Sequence, residues 1–212
     1  MCYKNYYLNM SKKKIVFEKN TVVKLFNDRK FKKISKYAKN IIDYHEIDID
    51  ICKLVIVSEI NLKNYFKAEQ YLKKIIKIHN TDELNYLYGN ILKIQNKYHE
   101  AIDLYKSAIS LNNKFSEAYN NLANTQKKIG DNENAKNNYI QAIKSNKSNF
   151  GAFFNLANLY RSEKKFEKAI ENYKQVLKLN PQYVESMNNI GSINLILGNF
   201  EEGYKIFKEA MK

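Results

Sequence analysis

Asparagine is the residue type whose spacing carries information in this chain. Asn121, Asn155 and Asn189 follow one another at one constant interval. Asn90, Asn124 and Asn158 do the same, and Ser192 continues their series. A carboxamide offers two donors and an acceptor but neither a titratable proton nor a nucleophile. A row of them can pair with an extended peptide backbone whatever its sequence, so the chemistry is recognition. Tyr86, Asn120, Phe154 and Asn188 form a third series at the same interval, and Lys93, Lys127, Lys128 and Arg161 place positive charge nearby. Asparagine is also abundant throughout the chain, and a solvated helix face is the competing reading.

Residue types for other chemistry are present without the spacing it needs. Cys2 and Cys52 match no metal or redox motif and read as free thiols of a reducing compartment. His45, His79 and His99 have no ligand partner at helical spacing, so no metal site is expected. No serine or cysteine is matched with a histidine base and an orienting group, and no paired carboxylates stand out. Acidic residues sit among lysines, as in Glu167 and Lys168 or Glu171 and Lys174, a pattern of solvated helix surface. No catalytic residue and no cofactor is expected, and the chain reads as a non-enzyme.

The elements that must position the asparagines are clearest in residues 150–183, two amphipathic helices joined by a polar turn. Phe153, Leu156, Tyr160, Phe166, Tyr173 and Leu177 are the large apolar positions, Ala157, Ala169 and Val176 the compact ones, and Pro181 breaks the chain before the next unit. Ala101, Ala135, Ala169 and Gly203 recur strictly at the interval of the asparagines. Gly89 and Gly191 fall where two helices cross closely. Gly130 and Gly198 fall where a first helix ends and a left-handed residue suits the turn. Asp131 and Asn199 stand where N-caps belong.

This pattern, with its period of roughly 34 residues, resembles the tetratricopeptide repeat (TPR). The resemblance implies an all-α fold: a right-handed superhelical solenoid of antiparallel helix pairs, with first helices lining a concave wall. Five units are expected over 49–212, at 49–81, 82–115, 116–149, 150–183 and 184–212. Their helix pairs fall near 49–62/65–78, 82–95/98–111, 116–129/132–145, 150–163/166–179 and 184–197/200–211. Residues 15–48 read as a degenerate capping repeat, with a first helix over Val16–Asn27 and a turn at Asp28-Arg29-Lys30. Residues 1–14 read as a flexible basic N-terminus. The unit at 49–81 departs from the pattern. Ile56 takes the place of a small residue, Glu59 stands where a large one is usual, and the step from Ala68 to Ala101 is one short of the period.

The same resemblance implies a peptide-binding groove formed by Tyr86, Asn90, Asn120, Asn121, Asn124, Lys127, Phe154, Asn155, Asn158, Arg161, Asn188 and Asn189. The row is similar to the asparagine ladder in the TPR arrays of O-linked N-acetylglucosamine transferases. The carboxylate clamp of chaperone-binding TPR domains is not matched, because Tyr86, Gly151 and Asn155 replace its basic residues. The function implied is a protein-interaction scaffold for a peptide segment of a partner. An alternative is the substrate-recruiting region of a larger glycosyltransferase or sulfotransferase.

Composition bounds these readings. The hydrophobic fraction of 44% suffices for folding. No apolar run reaches the ~18 residues of a membrane span, and the first residues lack a signal-peptide core, so a cytoplasmic location is expected. Net charge is +14, and residues 1–47 hold 12 Lys/Arg against 4 Asp/Glu. Lys32, Lys33, Lys36 and Lys39 could adapt the first repeat to an anionic surface, or simply solvate it. Nucleic acid is not the expected partner, since the lysine, asparagine and isoleucine bias also suits an AT-rich genome. Nothing after Lys212 covers the side of the last repeat formed by Phe207, Ala210 and Met211, so self-association through residues 200–212 is expected.

Overall fold

The computed structural model describes residues 19–42 and 48–211. The expected N-terminal tail, Cys2, Val16, His45 and Lys212 lie outside the described residues, as do the side chains of Lys39 and Ile41. Among the described residues no strand occurs. The helices are α1 (19–27), α2 (Phe31–Ile42), α3 (Ile49–Asn61), α4 (Tyr65–Ile76), α5 (Asp82–Ile94), α6 (Tyr98–Leu111), α7 (Ser116–Lys128), α8 (Asn132–Ser145), α9 (Phe150–Ser162), α10 (Phe166–Leu179), α11 (Val184–Ile196) and α12 (Phe200–Ala210). Each expected helix is found, ending at most two residues from its expected boundary. None of the described helices is long and apolar enough to cross a membrane.

One turn recurs after every first helix. Arg29, Lys63, Asn96, Gly130, Lys164 and Gly198 all adopt positive φ, between 55° and 85°. They are spaced by the repeat period throughout, except that the step between Lys63 and Asn96 is shorter by one. Each sits in the same pair of hydrogen bonds. Lys164 N–H donates to Arg161 O at 3.0 Å and Lys165 N–H to Tyr160 O at 2.9 Å; Arg29 with Phe26 and Lys30 with Leu25 repeat this at 2.9 and 2.8 Å. This is the Schellman closure of a helix C-terminus. The first pair, α1 and α2, therefore shares the backbone punctuation of the later units, although its side chains reverse the usual sizes: buried Ile34 stands where later units carry alanine or glycine, and buried Ala38 where they carry leucine, tyrosine or phenylalanine. A side chain at left-handed φ costs roughly 1–2 kcal/mol, offset in part by the flexibility glycine adds to the unfolded chain. Lys164→Gly should consequently raise stability by about 0.5–1 kcal/mol, and Gly130→Lys should lower it by a similar amount. Equal urea midpoints for wild type and both variants would contradict this.

The helices form two compact units, one ending at Ile91 and the other beginning at Leu92. In the first unit, Ile34, Ala38, Val55, Ile56, Ala68, Leu72 and Leu84 are buried in one cluster. Glu59 is fully buried there and explains the irregular position noted in the sequence. Its carboxylate accepts from Ser35 Oγ at 2.6 Å and from Asn64 Nδ2 at 2.8 Å, tying α3 to α2 and to the turn before α4.

In the second unit each helix pair closes over small residues. Ala123 and Ala135 are fully buried where α7 meets α8, as are Ala157 and Ala169 where α9 meets α10. Gly203 has the same role between α11 and α12. A Cβ there would lie 2.7 Å from Leu195 Cδ2 and 3.1 Å from the Gly191 carbonyl oxygen. Tyr105, Tyr139 and Tyr173 are fully buried. Ser116 links successive pairs: its hydroxyl donates to Ala142 O of α8 and accepts from Asn149 Nδ2, the N-cap of α9, both at 2.8 Å. Asp131 caps α8 through Asn134 N–H, but Asn199 makes no side-chain capping bond. Its amide is directed back towards Asn194, 3.4 Å away, so the expected cap at α12 is corrected.

Candidate functional site: the first-helix face

Helices α7, α9 and α11 are the first helices of three successive repeats, and the asparagine series lie along them. Direct bonds join these helices. Asn155 Nδ2 of α9 donates to Asn120 Oδ1 of α7 at 3.0 Å, and Arg161 Nη1 of α9 donates to Asn189 Oδ1 of α11 at 2.5 Å. The row is thus knitted sideways. Part of the hydrogen-bonding capacity that the spacing suggests for a ligand is spent between neighbours.

The series through Asn124 and Asn158 is tied inward. Tyr139 Oη donates to Asn124 Oδ1 at 2.7 Å, and Tyr173 Oη donates to Asn158 Oδ1 at 2.6 Å. Each bond joins a first helix to the second helix of its own repeat and satisfies the hydroxyl of a buried ring. Burial pushes both phenols above their usual range, Tyr173 to about 12, where nearby Arg161 pulls slightly the other way. The oxygens of Asn124 and Asn158 therefore belong to the fold, and their NH2 groups are what can meet a ligand. The identical separation of asparagine and tyrosine in both repeats was the sequence signal for this pairing.

Phe154, one of the expected groove residues, is half-buried in an aromatic cluster. Its ring centroid lies 5.1 Å from that of Tyr183 and 5.8 Å from that of Tyr173. Phe150 also meets Tyr183 edge-on, with ring centroids 5.6 Å apart, and is 40% exposed, which makes it the more accessible ring. Asn121 and Lys127 are half-buried and Asn188 is exposed. Lys93 is partly buried, and loss of solvent lowers its pKa. Tyr86 and Asn90 are half-buried on the part of α5 that belongs to the first unit. The structure thus brings Asn120, Asn121, Asn124, Lys127, Phe154, Asn155, Asn158, Arg161, Asn188 and Asn189 onto three adjacent helices.

Elsewhere, Cys52 is buried and its thiol is pushed up to about 12, far from the thiolate a nucleophile needs. Among the described residues no three His, Cys, Asp or Glu side chains are grouped to hold a metal ion. Lys32, Lys33 and Lys36 are exposed on α2, and the first two join Arg29 and Lys30 around a hollow of about 370 Å³.

Family models for the tetratricopeptide repeat match residues 151–183, 116–149 and 184–212, and a TPR repeat model matches 89–130. Together these matches cover 89–149 and 151–212, more than half of the chain. The chain belongs to the tetratricopeptide repeat family. No curated protein matches it significantly in sequence. Among solved structures it is similar to MamA, with 23% identity over 74% of this chain and 92% of that one and a TM-score of 0.69. It is also similar to the C-terminal part of a TPR repeat-containing protein from Cytophaga hutchinsonii (16% identity, 90% and 78% covered, TM-score 0.76). A third similar structure is YrrB, described as a TPR protein with an unusual peptide-binding site (16% identity, 84% and 92% covered, TM-score 0.66). At these identities the likeness establishes the TPR fold.

Proposed function

We propose that this chain is a non-enzymatic interaction scaffold that holds an extended peptide segment of a partner protein against the first helices of its second unit. The observation that carries the reading is the in-register row of carboxamides on α7, α9 and α11, bordered by Lys127 and Arg161. In it the NH2 groups of Asn124 and Asn158 donate to peptide carbonyls, and the Asn120–Asn155 and Arg161–Asn189 bonds hold the row rigid, which lowers the entropy lost on binding. The peptide-binding site named for YrrB is consistent with this use of the fold.

The test is capture of partners on immobilised protein, followed by titration of their peptides against variants. Asn121→Ala, Asn155→Ala and Asn189→Ala together should weaken binding at least tenfold. The melting temperature should fall only slightly, because the bonds lost are partly solvated and worth at most about 1 kcal/mol each. Undiminished affinity in the triple variant would refute the reading, and a large loss of stability would make these asparagines packing elements.

Self-association through the last repeat is part of the same proposal, with one revision. Phe207 is half-buried against Gly191, where an added Cβ would lie 3.1 Å from its ring. The exposed apolar residues of this region are Ile196, Leu197, Phe200, Tyr204 and Met211. Sedimentation velocity should show concentration-dependent association that Phe200→Glu with Met211→Lys abolishes. A wild-type monomer at all concentrations would remove this part of the proposal.

A further inference from the structure

A cleft of about 620 Å³ opens on the other side of the second unit, between the second helices α6 and α8. Ile102 and Ile109 of α6 and Leu122 of α7 supply apolar wall, and Asp103 and Asp131 stand at its sides. Gln126 of α7 lines it and is only 5% exposed. Gln126 Oε1 accepts from Asn138 Nδ2 at 2.7 Å, whereas its Nε2 has no partner among the described residues. Its amide thus keeps a free donor at the cleft, available to an acceptor that enters it.

The cleft has an origin in the sequence. One repeat later, the position of Gln126 is held by Tyr160, whose ring packs against the buried cluster of Ala123, Ala135, Tyr139, Leu156 and Leu159. Lys168 Nζ lies 5.7 Å from the centroid of that ring. Glutamine is shorter and polar, so it leaves space where the aromatic ring supplies mass. The flanking charge changes with it. Asp131 and Asn134 occupy the positions that Lys165 and Lys168 hold in the next repeat. Asp103 forms no ion pair among the described residues. Lys106 also lines the cleft, and Asp103 and Asp131 outnumber it, so in a chain of net charge +14 this concavity is acidic on balance.

We propose that the α6–α8 cleft is a second docking site, one that takes a peptide segment carrying a lysine or arginine beside an apolar side chain. The basic group pairs with Asp103, with the Asp131 charge behind it. The apolar side chain enters between Ile102, Ile109 and Leu122, and a backbone carbonyl of the peptide accepts from Gln126 Nε2. From His99 to Ser110 the cleft follows α6 for about 16 Å, the length of about five extended residues. This site is separate from the asparagine row and does not depend on it.

A phage-displayed library of random dodecapeptides, selected in parallel on the whole chain and on Gln126→Tyr, tests the assignment. Tyrosine is the residue the next repeat carries there, so this variant should fold and fill the cleft. Wild type should retain clones with a basic residue next to an aliphatic or aromatic one. Synthetic peptides from those clones should bind Gln126→Tyr and Asp103→Lys at least tenfold more weakly, and Asn155→Ala as well as wild type. Asp103 is exposed, so its replacement keeps the test valid if Gln126→Tyr fails to fold. The proposal is overturned if wild type retains no peptide that Gln126→Tyr loses, if the retained peptides are acidic, or if their binding is lost in Asn155→Ala but kept in Asp103→Lys.

Discussion

Tyr173→Ala is expected to destabilise the second unit by about 3–5 kcal/mol, the range for removing a large aromatic side chain from a core. Tyr173 is fully buried and packs with Ala157, Ala169, Ile190 and Ile193. It therefore joins its own repeat to the next. Its ring also supports Phe154, and its hydroxyl holds Asn158. Tyr173→Phe keeps the ring and removes only the hydroxyl bond, so it should cost about 0.5–1.5 kcal/mol. The pair separates packing from hydrogen bonding. There is a pH signature as well. Burial raises the folded pKa of Tyr173 to about 12, above its unfolded value of about 10. The neutral phenol's contribution is complete below pH 10 and is lost as pH rises from there through 12. Tyr173→Phe should flatten that part of the stability profile. Equal denaturation midpoints for Tyr173→Ala and Tyr173→Phe would contradict the account of the core.

Ala169→Leu is expected to cost about 1–3 kcal/mol by overpacking the crossing of α9 and α10. Ala169 has no exposed surface, and the close approach of the two helices depends on its size. Ala135→Leu should act alike between α7 and α8. Lys128→Leu, at an exposed position, should remain within about 0.5 kcal/mol of wild type. Comparable urea midpoints for the three variants would mean that the column of small residues does not set the helix spacing.

The second unit was legible in the sequence because each feature it needs has a distinctive residue: alanine or glycine at the crossings, glycine at two of the turns, tyrosine in the core. The first unit was harder to read, because the backbone repeats there without its usual side chains. Arg29 and Lys63 take the left-handed turn without glycine, and Ile34 and Ala38 exchange large and small while keeping the interior filled. Glu59 looked like a fault in the pattern, since no spacing rule reveals that Ser35, one helix away, would hold its carboxylate. The same limit applies at the site. Periodicity placed the asparagines on one face, but it could not show that Asn124 and Asn158 give their oxygens to tyrosines, or that Asn155 and Arg161 bind their neighbours. Those bonds depend on distances between helices, and the glutamine at 126 gains meaning only beside the cleft it leaves.

The role of the asparagine row is tested most directly by following side-chain amide resonances while a peptide from a captured partner is titrated in. The NH2 signals of Asn124 and Asn158 should shift and saturate together with binding. Those of Asn137 and Asn172, on second helices α8 and α10, should stay in place. A peptide that binds while the amides of Asn121, Asn124, Asn155 and Asn158 remain unmoved would contradict the first-helix face as the binding surface.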